Sequence, residues 1–164
     1  MSGLLTALAW ATVIIASYLP TGRFFILSIS SLCIVIAWLE WGKGTAFMVY
    51  LAVFFLSLIW PGIFRALGFF GFFGLYPLLF LFLRQKMNRW PAISIVHPLM
   101  TGLILAAISV LGLDYFITDT RGLTGWTLWL ALVLIIQAVL LVYNYLLGRF
   151  TQLWLERIKS RSQF

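Results

Sequence analysis

Charge is what this sequence has least of. Asp, Glu, Lys and Arg together make 9% of the chain, and only four of them are acidic. Soluble globular proteins carry about a quarter charged residues, so this chain has too few to cover a surface for water. The four carboxylates are Glu40, Asp114, Asp119 and Glu156, and the one pair close in sequence, Asp114 with Asp119, falls in a loop at a nonspecific spacing. His97 is the sole histidine, which excludes bis-histidine haem ligation within the chain and disfavours a protein-built zinc site. Cys33 is the sole cysteine and stands in an apolar stretch, so an internal disulfide framework is excluded and the redox compartment stays open. No Walker A loop, GxSxG or HExxH sequence occurs. Converging acid, base and metal groups are scarce, so enzyme activity is a minority reading and no cofactor or metal is expected.

What the sequence has instead is apolar length. AVILMFWYC residues make up 63% of its 164 positions, and they come in successive runs separated by short charged or glycine-containing stretches. A hydrocarbon core of about 30 Å takes roughly 20 apolar residues per helical crossing. The expected fold class is therefore all-α, a polytopic membrane bundle that leaves no room for a separate soluble domain. A net charge of +7 and a pI near 10.1 bring nucleic acid to mind, but the cations flank apolar runs and form no continuous stripe. The partner they imply is the bilayer, and no nucleic acid is expected. Residues 1–6 carry no Lys or Arg ahead of the first run, as a cleaved secretory signal normally would, so the first helix reads as retained.

The runs give six candidate helices, near 4–19, 24–39, 45–60, 63–83, 92–113 and 124–148. Pro20, Gly22, Gly42, Gly44, Pro61, Gly62, Pro91, Gly122 and Gly125 punctuate the junctions. Only Pro61 and Gly62 separate the third run from the fourth, which leaves a two-span hairpin and one kinked element both open. Charge favours six spans: Lys43, Arg84, Lys86, Arg89, Arg149, Arg157, Lys159 and Arg161 then share one side, opposite Asp114, Asp119 and Arg121. Both termini are accordingly expected in the cytoplasm. Residues 1–148 form the bundle, and 149–164 read as a basic amphipathic tail with an interfacial composition.

Gly68, Gly71 and Gly74 recur every three residues and remove side chains from a narrow strip, suited to close helix approach within the chain or to docking on another subunit. Gly102, Ala106 and Ser109, and Ala7 with Ala11, offer similar faces. Among polar residues at membrane depth, His97 stands beside Pro98, whose ring frees a carbonyl one turn earlier. Gln137 and Asn144 are seven apart on nearly one face of the last run, placed either to tie helices together or, in the case of Gln137, to face a ligand cavity. A proton relay through His97 lacks a second ionisable group. The non-cytoplasmic edge gathers Arg23, Trp60, Asp114, Tyr115, Asp119 and Arg121, with Trp126 and Trp129 one turn inside. These residues suit a small zwitterionic or aromatic solute, with Gln137 beneath it; an ordinary interfacial aromatic belt is the competing reading.

Leu19-Pro-Thr-Gly-Arg23, the apolar span holding Ser31-Leu32, Glu40-Trp-Gly-Lys-Gly44, Tyr50-Leu-Ala, Ser57-Leu58, Pro61 and Phe73-Gly-Leu-Tyr-Pro77 follow one another along residues 15–90. That order resembles a family of small bacterial membrane proteins, similar in turn to the substrate-binding S components of energy-coupling factor vitamin transporters. The resemblance implies a six-helix bundle of the inner or plasma membrane that captures a vitamin or similar solute at its outer face. It also implies a transmembrane coupling subunit driven by ATPases, docked on a small-residue face of the first helix, to which Ala7 and Ala11 correspond. The rod-shape protein of the cell-elongation machinery has a similar general architecture, and a non-catalytic membrane scaffold is the alternative function.

Overall fold

Glycine and proline end the apolar runs close to where the sequence places them. The computed structural model describes residues 2–111 and 125–161. Its helices are α1 (Ser2–Tyr18), α2 (Arg23–Trp41), α3 (Lys43–Ile59), α4 (Ile63–Gly68), a π-helical segment (Phe69–Gly74), α5 (Leu75–Lys86), α6 (Arg89–Leu111) and α7 (Gly125–Arg161). Among the described residues there is no strand.

Two junctions show why the chain turns where it does. Gly42 has φ 85°, a region that side chains rarely adopt; its N–H closes α2 on Trp38 O at 3.0 Å while its carbonyl receives Ala46 N of α3. Gly62, at φ 113°, sends its N–H back to Ser57 O at 3.0 Å, the wrap that satisfies a terminal helix carbonyl. The chain then reverses. The Phe54 ring meets the Phe70 ring at 4.4 Å with a 41° tilt, the Tyr50 ring lies against Gly74, and Lys43 lines a groove together with Phe82. The third and fourth runs therefore pack as an antiparallel helical hairpin rather than one kinked element.

The π-helical segment lies just ahead of Pro77. Proline has no N–H for the Phe73 carbonyl, and the flexible Phe-Phe-Gly repeat lets the ladder widen there. Of the three glycines, only Gly74 serves a close approach: a β-carbon there would collide with the Tyr50 ring, whereas positions 68 and 71 face open space. The Tyr50 hydroxyl donates to Phe70 O at 3.0 Å, so one side chain both covers Gly74 and satisfies a carbonyl of the widened turn.

α2 is the central helix and packs against α1, α3, the π-helical segment, α5 and α7. Small residues make this possible. Ala9 and Ala16 of α1, Ser30, Ser31 and Ala37 of α2, and Ala46 of α3 are buried where backbones approach. Ser30 and Ser31 give their hydrogens to Leu27 O and Ser28 O, so neither leaves an open donor in the core. Ala7 and Ala11 lie on the opposite, exposed face of α1 and take no part in this packing.

The outer surface is apolar as well. Ile59 is 80% exposed and Trp90 78%, and Leu4, Phe24, Phe25 and Leu134 are similarly open. Four helical stretches, Arg23–Trp41, Ala66–Lys86, Arg89–Ser109 and Trp126–Glu156, are long and apolar enough to cross a membrane. α1 and α3 are apolar but 17 residues long, about 25 Å at 1.5 Å per residue. α7 passes through Gly148 unbroken, so residues 149–161 continue the last helix rather than forming a separate one.

Candidate functional site

His97 lies two turns into α6, 6% exposed, and begins a chain of polar contacts across three helices. Its Nδ1–H donates to Gln137 Oε1 on α7 at 3.2 Å. Gln137 Nε2 donates to Thr101 Oγ1 at 2.7 Å, and the Thr101 hydroxyl donates to His97 O one turn back at 2.8 Å. The ring closes on itself. A side-chain amide needs its oxygen toward the imidazole N–H for this pattern, which leaves His97 Nε2 as an acceptor. Facing it at 3.5 Å is the hydroxyl of Tyr76 on α5, at the long limit of a hydrogen bond.

Tyr76 carries the cluster toward α2. Its ring meets Tyr143 of α7 edge-on at 4.9 Å, and Phe72 and Phe73 pack against Tyr143 from the π-helical segment. Tyr143 is 6% exposed and Asn144 3%, yet Tyr143 Oη and Asn144 Oδ1 have no hydrogen-bond partner. The Ser31 hydroxyl gives its hydrogen to Ser28 O and turns its oxygen toward Tyr143 as a nearby acceptor, without closing a hydrogen bond of good geometry. A buried polar atom without a partner forgoes roughly 1–3 kcal/mol. The cluster is thus satisfied at its His97–Gln137–Thr101 end and unsatisfied at its Tyr143–Asn144 end.

The residues expected at the outer edge are less closely associated. Arg23 is exposed and its Nε–H donates to Leu19 O at 2.6 Å, a local contact at the start of α2. Trp60 is exposed, and its carbonyl accepts the indole N–H of Trp10 at 2.9 Å, which fastens the end of α3 to α1. Trp126 is 75% exposed at the start of α7. Asp114, Tyr115, Asp119 and Arg121 lie outside the described residues. Gln137 is engaged by His97 and Thr101 rather than aimed at open space.

Sequence reasoning missed three residues. Tyr76 and Tyr143 pass as aromatic bulk in a chain where aromatics are 18% of positions, and nothing local marks their hydroxyls. Thr101 was detectable, since it stands at i+4 from His97 on the same helical face.

That cluster gathers at one end. Lys43 opens α3, Arg84 and Lys86 close α5, and Arg89 opens α6 with its guanidinium beside Gly148 of α7. Glu40, at the end of α2, accepts the Trp154 indole N–H at 3.1 Å on the same side. Two apolar grooves mark the surface. One, between α2 and α7, holds about 270 Å³ and includes Phe25, Leu32, Tyr143 and Arg149; the other, between α3 and α5, holds about 380 Å³. Among the described residues no group of His, Cys, Asp and Glu is arranged to hold a metal ion. No protein-family model, curated protein or solved structure matches the chain.

Proposed function

We propose that this chain is the membrane-embedded solute-binding subunit of a small-molecule uptake transporter, similar to the S components of energy-coupling factor systems. The observation that carries the reading is the half-satisfied polar cluster: Tyr143 Oη and Asn144 Oδ1 are buried without partners, beside Tyr76 and the His97–Gln137–Thr101 ring. In a lipid-facing bundle such atoms have no water to turn to, and a polar solute that bonds them gains what they lack. Gln137 lies 12 residues from Arg149 along α7, about 18 Å, which is membrane depth rather than surface. In this reading the solute enters from the edge marked by Arg23, Trp60 and Trp126, to which the sequence alone assigns Asp114, Tyr115, Asp119 and Arg121.

In this reading the chain crosses six times with both termini in the cytoplasm of a bacterial inner or plasma membrane. Seventeen residues, the length of α1 and α3, is the short end of what crosses a bilayer. The gathering of Lys43, Arg84, Lys86, Arg89 and Arg149 at one end supports the orientation. A transmembrane coupling subunit with ATPases docks on α1 across Ala7 and Ala11, whose exposure leaves that face open. The test is a thermal-shift screen of the purified protein against vitamins, amino acids and nucleobases. A shift that Tyr143→Phe removes supports solute capture; no shift by any compound rejects it.

One observation favours a second reading. His97, Gln137 and Thr101 satisfy one another, as a static tie between α6 and α7 does, and such a tie suits a scaffold subunit that carries no solute.

A further inference from the structure

The groove between α3 and α5 joins apolar walls to a cationic mouth. Phe47, Leu75, Leu78 and Leu79 line it, and Lys43 stands at the end where α3 begins. Lys86 Nζ sits over the Phe82 ring, 4.8 Å from its centroid, and Phe82 lines the same groove. Two ammonium groups thus flank one end of an acyl-shaped surface. Neither forms an ion pair among the described contacts, and the nearby Glu40 carboxylate is held by Trp154. Lys43 opens α3 at the basic end of the bundle, and a lysine at a helix end extends its side chain out to the headgroup phosphates.

We propose that this groove is a binding site for an anionic phospholipid of the leaflet facing Lys43. One acyl chain lies along Phe47, Leu75 and Leu78, and the phosphate sits between Lys43 and Lys86. A zwitterionic lipid such as phosphatidylcholine fills the apolar part equally well, but its own choline cation offsets the attraction of its phosphate to the two lysines, so net charge sets the preference. The site is separate from the polar cluster and rests only on the chain being embedded in lipid, so it stands or falls independently of solute binding.

Native mass spectrometry of the full chain, released from bilayers of equal phosphatidylglycerol and phosphatidylcholine, tests this. The native protein retains phosphatidylglycerol preferentially, by roughly twenty-five-fold if each lysine contributes a factor of about five. Lys43→Gln with Lys86→Gln brings the ratio near one, and both positions are exposed, so folding is preserved. Gly44→Phe offers a second variant: position 44 lines the groove and a β-carbon there meets nothing within 4 Å, so the added ring projects into the groove and lowers retention of both lipids. Equal retention by the native protein overturns the proposal. So does an unchanged preference in the double variant, or a lipid-free dimer that Gly44→Phe disrupts, which assigns the groove to a second copy.

Discussion

The imidazole Nδ1–H of His97 points at Gln137 Oε1 across 3.2 Å, joining α6 to α7 through two side chains forty residues apart in sequence. This contact fixes the imidazole tautomer and, through Thr101, returns to the backbone of the helix it started from. Gln137→Leu breaks it and leaves a buried N–H unpaired. The variant is expected to lose about 1–2 kcal/mol in a reversible unfolding titration in detergent. Removing both partners, His97→Leu with Gln137→Leu, is expected to lose less than the sum of the single losses. Strict additivity in that cycle means the two side chains do not interact.

Gly74→Ala is expected to destabilise the bundle by about 1–3 kcal/mol, because the new methyl group has no room beside the Tyr50 ring. Gly71→Ala, three residues earlier in the same repeat, meets open space and should be neutral. Melting temperatures of the two variants in one detergent make the comparison. Equal losses at both positions contradict the hairpin packing described here.

The difference between those two glycines also shows what the sequence holds and what it hides. Helix positions follow from apolar run length and from Gly22, Gly42 and Pro61–Gly62, so most boundaries were legible to within a few residues; the exception is the end of the last helix, which runs on to Arg161 instead of stopping at 148. The hairpin was not legible, because Pro61–Gly62 fits a kink as well as a reversal. What decides is tertiary: Phe54 meeting Phe70 and Tyr50 covering Gly74. The periodic glycine strip overstated itself, since the π-helical segment changes which side chains share a face. At the site, His97, Gln137 and Asn144 stood out as polar residues within apolar runs. Tyr76 and Tyr143 did not, as a tyrosine hydroxyl leaves no mark on hydropathy.

Orientation is open to direct labelling. In a Cys33→Ser background, cysteines at Thr21 and Asn88 sit in exposed turns at opposite ends of the bundle. With the basic end in the cytoplasm, an impermeant maleimide applied to intact cells is expected to modify position 21 and spare position 88. The reverse pattern inverts the topology, and labelling of both shows that the two turns do not lie on opposite sides.

A docked coupling subunit requires the exposed face of α1. Ala7→Leu with Ala11→Leu fills that face without entering the core, since Ala9, Val13, Ala16 and Ser17 are the buried residues of α1. Monomer melting should change by under about 0.5 kcal/mol, as for surface substitutions generally. Co-purification with the partner should fall. Unchanged co-purification removes α1 as the docking surface.

Tyr143→Phe is the most direct measurement of whether the polar cluster receives a solute. The hydroxyl it deletes is buried and has no hydrogen-bond partner, so the solute-free protein is expected to keep its stability or gain up to about 1 kcal/mol. A solute from the vitamin, amino-acid or nucleobase panel, present at about 100 times its Kd, is expected to stabilise the native protein by roughly 2.7 kcal/mol. That stabilisation should shrink strongly in Tyr143→Phe. A variant that keeps its full solute-induced shift, or that loses stability without any solute, contradicts the assignment of this hydroxyl to solute binding.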